Sequence, residues 1–196
     1  MTIRPGWTWG RRLDQSVRPN RLADDAALAA AVVAGKEGPL AVAAGDLHRA
    51  VGAPSSSHSA HVVDVDLLEV TLDGDRRFYA VAHVVARRGW WRGRLVAVCN
   101  VDYVGEWNVA PRAHPNDGRA DVLDVAPDMG LRARWQARRR LAQGTHVPHP
   151  HIAGRSVRQA TFEFDREMRV WVDGVDVGRA RRIDVSVRPD AFELHV

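Results

Sequence analysis

The sequence holds a single cysteine, Cys99, among its 196 residues. That excludes an intramolecular disulfide framework and a thiolate-rich zinc site. No apolar run approaches the roughly 20 residues that span a bilayer, and Met1-Thr2-Ile3-Arg4-Pro5-Gly6-Trp7 lacks the apolar core of a signal peptide. These absences set the expectation of a cytoplasmic protein that meets a membrane only peripherally. Three signatures of self-contained enzymes are missing too: the Gly-x-x-x-x-Gly-Lys-Ser/Thr phosphate loop, the Gly-x-Ser-x-Gly elbow and the Gly-x-Gly-x-x-Gly fingerprint. Lysine is almost absent as well. Lys36 is the only one, so the 28 basic residues set against 24 acidic ones are nearly all arginine. Arginine keeps its charge and grips phosphate with a planar fork, which suits nucleic acid or an anionic lipid surface. A GC-rich coding bias gives the same composition.

What is present supports one real core, with 45% hydrophobic and 27% charged residues. Residues 1–20 carry Trp7, Trp9, Arg11 and Arg12 without periodicity and read as an irregular arm or one short element. Asp24 to Val33 predicts a helix, with an Asp-Asp pair at its start and Gly35 and Gly38-Pro39 beyond its end. Leu40 to Ala44 and Leu47 to Gly52 read as a strand and a helix. The polar stretch Pro54-Ser55-Ser56-Ser57-His58-Ser59 marks the best boundary, between an α/β segment at 1–53 and a domain at 54–196. From Val62 the texture is β. A hairpin turns at Asp73-Gly74, and Leu95 to Cys99 lacks polar alternation, as a strand buried on both faces does. Val122 to Val125 forms another strand, and Leu131 to Gln143 a basic helix. Beyond it, Ala160 to Val196 alternates cleanly. Seven or eight short strands with Asp-Gly turns predict a mainly β fold, an antiparallel sandwich or barrel with a short α/β unit at the N-terminus.

Several constellations could carry chemistry. His146-Val147-Pro148-His149-Pro150-His151 groups imidazoles that suit a transition metal, although loop hydrogen bonds or a place in a pocket wall explain them better. Asn116-Asp117-Gly118-Arg119-Ala120-Asp121 and Asp173-Gly174 are turns whose oxygens also suit a hard cation. Arg132, Arg134, Arg138, Arg139 and Arg140 share the basic helix with Trp135, and Arg87-Arg88-Gly89-Trp90-Trp91-Arg92-Gly93-Arg94 mixes the same residue types. Guanidinium and indole together dock on an anionic membrane interface or stack on nucleic acid. The structural alternative is a solvated helix face with Trp135 packed inward.

Five segments in order resemble the bacterial diacylglycerol kinase and sphingosine kinase family. They are Asn100 with Tyr103-Val104-Gly105-Glu106-Trp107-Asn108-Val109-Ala110-Pro111, then Asn116 to Val122, then Gly144 to Pro150, then Val170 to Gly174, and finally Arg188-Pro189-Asp190-Ala191. The resemblance covers about Leu22 to the end and is strongest over 95–196, the family's lipid-binding C-terminal β-sandwich. It implies an N-terminal ATP-holding domain, of which this chain keeps a truncated part. Asp24-Asp25-Ala26-Ala27-Leu28 stands where the family has its Gly-Gly-Asp-Gly-Thr loop, and Ala43-Ala44-Gly45-Asp46 where it has a second glycine motif. Asp25, Gly45 and Asp46 are therefore the cofactor-site candidates. The lost glycines argue against ATP, because only a bare backbone comes close to a triphosphate.

The family's general base, a glutamate after Asp-Gly, is replaced by Val175, which accepts no proton. Asp173 and Asp176 are the remaining weak candidates for that role. The resemblance also implies a structural magnesium ion on Asp117, with carbonyls of His114 and Arg119 and with Asp173 nearby. The expectation is a catalytically impaired lipid-kinase homologue that binds a lipid or another amphipathic ligand, alone or with a partner protein. The alternatives are an active lipid kinase completed by a homodimer or partner, and a nucleic-acid-binding module that rests on arginine content alone.

Overall fold

β-Branched alternation dominates the chain beyond Ser59, and antiparallel sheet is what it builds. The computed structural model describes residues 9–54 and 57–196; Trp7 and part of the Pro54–Ser59 boundary lie outside the described residues. The N-terminal segment gives β1 (Arg11–Val17), β2 (Asn20–Leu22), α1 (Asp25–Val33), β3 (Leu40–Val42) and α2 (Asp46–Ala50). There follow β4 (Ser59–Leu72), β5 (Arg76–Ala80), β6 (His83–Arg87), β7 (Leu95–Cys99) and the small hairpin β8 (Tyr103–Val104) with β9 (Trp107–Asn108). The chain ends with β10 (Ala120–Val125), α3 (Leu131–Leu141), β11 (Ile152–Val157), β12 (Gln159–Val172) and β13 (Val175–His195).

The main sheet runs in the order β1-β4-β13-β12-β6-β7-β10-β11, with β5 on β4, β3 on β13 and β2 on β3. Among the described residues only the β2–β3 and β3–β13 pairings are parallel. The fold is therefore mainly antiparallel β with a small α/β unit at its N-terminus, as the sequence predicts.

Alternation sorts the strands between two cores. Val84, Ala86, Val96, Val98 and Val122 face the central core around Phe162, while Val85, Ala97, Cys99 and Leu123 face a second core beneath α3. That is why β7 carries no polar alternation. A third cluster joins Leu28, Leu40 and Leu47 of the N-terminal segment to Val63, Leu67, Val101 and Leu194, so the α/β segment shares a core with the sheet.

The strands are longer than the pattern predicts. β12 runs through the polar stretch Asp165-Arg166-Glu167 with a register shift between Glu163 and Met168. β13 runs through Pro189 with another between Arg188 and Phe192, where Asp190 takes φ 49°. Irregularities of this kind bend a strand without ending it. The unassigned arm contains β1, an exposed strand on β4.

Phe162 is 1% exposed at the centre of the main cluster. Phe162→Ala should lower stability by about 3–5 kcal/mol through lost burial and an unfilled cavity, measured as the shift in urea unfolding free energy. A loss below about 1 kcal/mol would place the centre of the core elsewhere.

Candidate functional site

Two carboxylates close the N-termini of α1 and α2. Asp24 Oδ1 accepts the Ala27 amide at 2.8 Å and caps α1. Asp25 turns the other way, and its Oδ2 accepts the amides of Asp46 at 2.6 Å and Leu47 at 3.3 Å, capping α2. Gly45 sits between them with φ 118°, and a Cβ there would run into the Asp25 carboxylate. Asp46 in turn accepts the Gly105 amide at 3.0 and 2.9 Å, tying α2 to the β8–β9 turn.

The first residue of β6, His83, lies between Asp46 and Asp173. Its Nε2 is 3.6 Å from Asp46 Oδ2 and its Nδ1 3.7 Å from Asp173 Oδ1. Asp173 accepts the amides of Val81 at 2.8 Å, Ala82 at 3.0 Å and His83 at 2.9 Å. Two acids from two segments thus flank one imidazole. Burial pushes the Asp25 carboxyl up to about 7, the Asp173 charge adds to the rise, and the two amide hydrogen bonds oppose it. Asp173 has no exposed side-chain surface. Asp176 is exposed and bound by Arg169, which holds its carboxyl below the ordinary range. Val175 stands between them on the first residue of β13, half exposed.

The Asp117 turn forms a separate network. Asp117 Oδ1 accepts the Arg119 amide at 2.9 Å, and the His114 ring accepts the Asn116 amide at 3.2 Å. The carboxylate that hydrogen-bonds this turn is Asp66, while the hydrogen bonds of Asp173 go to Val81, Ala82 and His83. Asp66 accepts the Gly118 amide at 2.7 Å and the Asp190 amide at 2.9 Å. Burial pushes Asp66 up to about 6, the amides pull it down, and the charges of Asp117 and Asp190 add to the rise. Among the described residues no three His, Cys, Asp or Glu side chains are grouped to hold a metal ion. In the histidine segment, His149 accepts the His151 amide at 3.1 Å and His146 is buried.

An apolar cavity of about 100 Å³ lies between α3 and the β6–β7–β10 face, lined by residues such as Val85, Leu123, Met129 and Ile152. Its exposed lining residues, Trp90, Trp91 and Arg138, mark the mouth. Arg138 stacks over Trp91 and Trp107 at 5.6 and 5.2 Å, and Arg87 over Trp90 at 4.0 Å. The helix is turned opposite to the inward-Trp reading. Arg134 is 5% exposed and donates to the carbonyls of Met129 and Ala126 at 2.9 and 3.0 Å, and to that of Gly93. Trp135 and Leu131 are 50% and 55% exposed. No helix of the described residues is long and apolar enough to cross a membrane.

Sequence reasoning missed Asp66 and His83. His83 is one polar residue in the apolar run 80–86, and Asp66 follows Asp64 in the otherwise apolar run 62–68; those interruptions were the only signal.

Asp25 binds its proton more tightly folded than unfolded, where its pKa is about 3.9. The native state then holds more protons from about pH 4 to 7, and stability falls by up to about 1.4 kcal/mol per pH unit across that window. Asp66 acts in the same direction at its lower end. Asp25→Asn keeps an acceptor for the two amides and removes the titration, so its melting temperature should decline less than that of wild type between pH 5 and 8. Identical pH profiles would mean that Asp25 does not titrate there.

Known proteins give a consistent picture. Two crystal structures from Bacillus anthracis str. Sterne share the fold. One is of a protein assigned as a diacylglycerol kinase, with TM-score 0.61, 15% identity, and coverage of 81% of this chain and 70% of that one. The other is of a diacylglycerol kinase, with TM-score 0.56, 16% identity, and coverage of 81% and 67%. A search of curated proteins found no match. The family described as the YegS C-terminal NAD kinase beta sandwich-like domain matches residues 62–196, the span from β4 to the end of β13. The chain belongs to that family, whose β-sandwich is the C-terminal domain of the lipid kinases that its motifs resemble.

Proposed function

We propose that this protein binds a lipid or similar amphiphile through its sandwich, at an anionic membrane surface, and does not transfer phosphate from ATP. The observation that carries the second half is the Asp25 carboxylate on the amides of Asp46 and Leu47. Free amides at a helix start are what an incoming phosphate needs, and here an internal carboxyl oxygen takes them. Asp46 and Asp173 add negative charge beside it, so a triphosphate does not fit these residues. Neither Asp173, buried and held by three amides, nor Asp176, bound to Arg169, offers an accessible proton acceptor where Val175 stands.

The magnesium ion that the resemblance implies would sit on the Asp117 carboxylate with the carbonyls of His114 and Arg119. Its charge there would offset the repulsion between Asp117 and the neighbouring Asp66 and Asp121. The residues of the turn fit that role, and the ion would brace the turn against β4.

Lipid binding is supported by the cavity beneath α3 and by the surface at its mouth. Exposed Trp90, Trp91, Leu131 and Trp135 lie among Arg88, Arg92, Arg132 and Arg139, and α3 has no acidic residue. Indoles settle at headgroup level, and each arginine near an anionic surface contributes about 1 kcal/mol.

Two measurements test the proposal. Purified protein with ATP, magnesium and diacylglycerol should form no phosphatidic acid above a heat-killed control, and millimolar ATP should give no calorimetric binding signal. Product well above the control would sink the non-catalytic half. In flotation assays the protein should bind phosphatidylglycerol vesicles and not phosphatidylcholine ones, and lose binding as salt screens the charges. Replacing both Arg132 and Arg139 with Ala should weaken partitioning by roughly tenfold or more, and equal binding to neutral vesicles would remove the electrostatic part.

A further inference from the structure

The cavity beneath α3 is walled mainly by apolar side chains, and besides Arg134 and Arg138 it holds one polar residue that ordinary packing leaves unexplained. His146 lines it, is 2% exposed, and neither ring nitrogen has a hydrogen-bond partner of ordinary geometry. A buried polar group without a partner costs about 1–3 kcal/mol, so its place in an apolar wall points to a ligand group that completes it. We infer that the cavity takes an alkyl chain carrying a hydroxyl, and that His146 accepts the hydroxyl hydrogen bond inside the cavity, away from any headgroup at the Trp-Arg mouth. The inference rests on the lipid-binding reading and specifies its ligand.

The ring's chemistry sets the direction of that bond. Burial lowers the His146 pKa, which leaves the imidazole neutral, with one N–H and one lone pair. The Val109 carbonyl pulls the pKa back up, and that assigns it the N–H side of the ring. The remaining nitrogen is an acceptor, and its complement is a donor, which a hydroxyl supplies and an ether or ester oxygen does not. Arg134 does not compete for the ligand, because its guanidinium is spent on the carbonyls of Met129, Gly93 and Ala126.

Size agrees with a chain segment. An apolar cavity of about 150 Å³ holds benzene, and this one, at about 100 Å³ and open at the tryptophans, has room for a short run of methylenes.

The test uses the full chain and two isomers, n-hexanol and methyl pentyl ether, which have the same atoms and differ in whether the oxygen donates. Trp90, Trp91 and Trp107 line the cavity and report occupancy by fluorescence. Wild type should bind the alcohol about tenfold more tightly than the ether, one net hydrogen bond's worth. His146→Leu should erase that gap by weakening the alcohol while keeping the ether. Equal binding of the two by wild type, or a preference that survives in His146→Leu, overturns the inference and leaves lipid binding standing. Binding of neither overturns both. If His146→Leu does not fold, the ring-nitrogen shifts of His146 in wild type decide: the acceptor nitrogen should move upfield with hexanol and stay still with the ether, and no movement with hexanol overturns the assignment.

Discussion

The Asp25 carboxylate on the amides of Asp46 and Leu47 is the interaction on which the N-terminal half depends. A carboxylate in a nearly buried place is costly, and its upward-shifted pKa records that cost. What offsets it is the work of one group in two elements: Asp25 sits in the first turn of α1, where a negative charge is favoured, and it caps α2. Gly45 is then required for an internal reason. The carboxylate comes so close that no side chain fits. A glycine that reads in sequence as the trace of a phosphate loop is held here by an aspartate of the same chain.

The closure extends into the sandwich. Asp46 receives the Gly105 amide, and His83 lies between Asp46 and Asp173, which receives the amides at the start of β6. Each bond joins the α/β segment or a sheet turn to another part of the molecule. Together with the cluster shared by Leu28, Leu47, Val101 and Leu194, they explain why a segment too small for a core of its own is ordered against the sheet.

How much of this is legible in the sequence follows from the range of each interaction. The strands that alternate, the β4–β5 hairpin at Asp73-Gly74 and the Asp24 cap are local patterns and can be read directly. β1 has no apolar stripe because it is an exposed strand, so periodicity carries no trace of it. The lengths of β12 and β13 are hidden because polar residues and Pro189 imitate strand ends at places where the sheet only shifts register. The resemblance finds Asp25, Gly45, Asp46, Asp117 and Asp173 one by one, but their grouping depends on which strands become neighbours. Asp173 joins His83 because β12 pairs with β6, and Asp66 joins Asp117 because Asp66 donates its own amide to the Pro115 carbonyl.

The orientation of α3 links the fold to the proposed ligand. A helix reading Leu-Arg-Ala-Arg-Trp-Gln-Ala-Arg-Arg-Arg-Leu would bury its tryptophan if burial of apolar area alone decided. It buries Arg134 instead, because the loops around Gly93 and Met129 present carbonyls that water no longer reaches, and one guanidinium satisfies several of them. Rotating the helix to bury Trp135 would leave those carbonyls unpaired, a larger loss than an exposed indole. The consequence is a rim of tryptophans held out under arginines, above a cavity with apolar walls and a single unsatisfied histidine. A surface of that kind suits an interface where the indoles are half immersed and the chain entering between them leaves hydrocarbon for hydrocarbon. In such an exchange the apolar walls contribute little to selectivity, and with Arg134 held by carbonyls the choice among chains falls to the His146 ring.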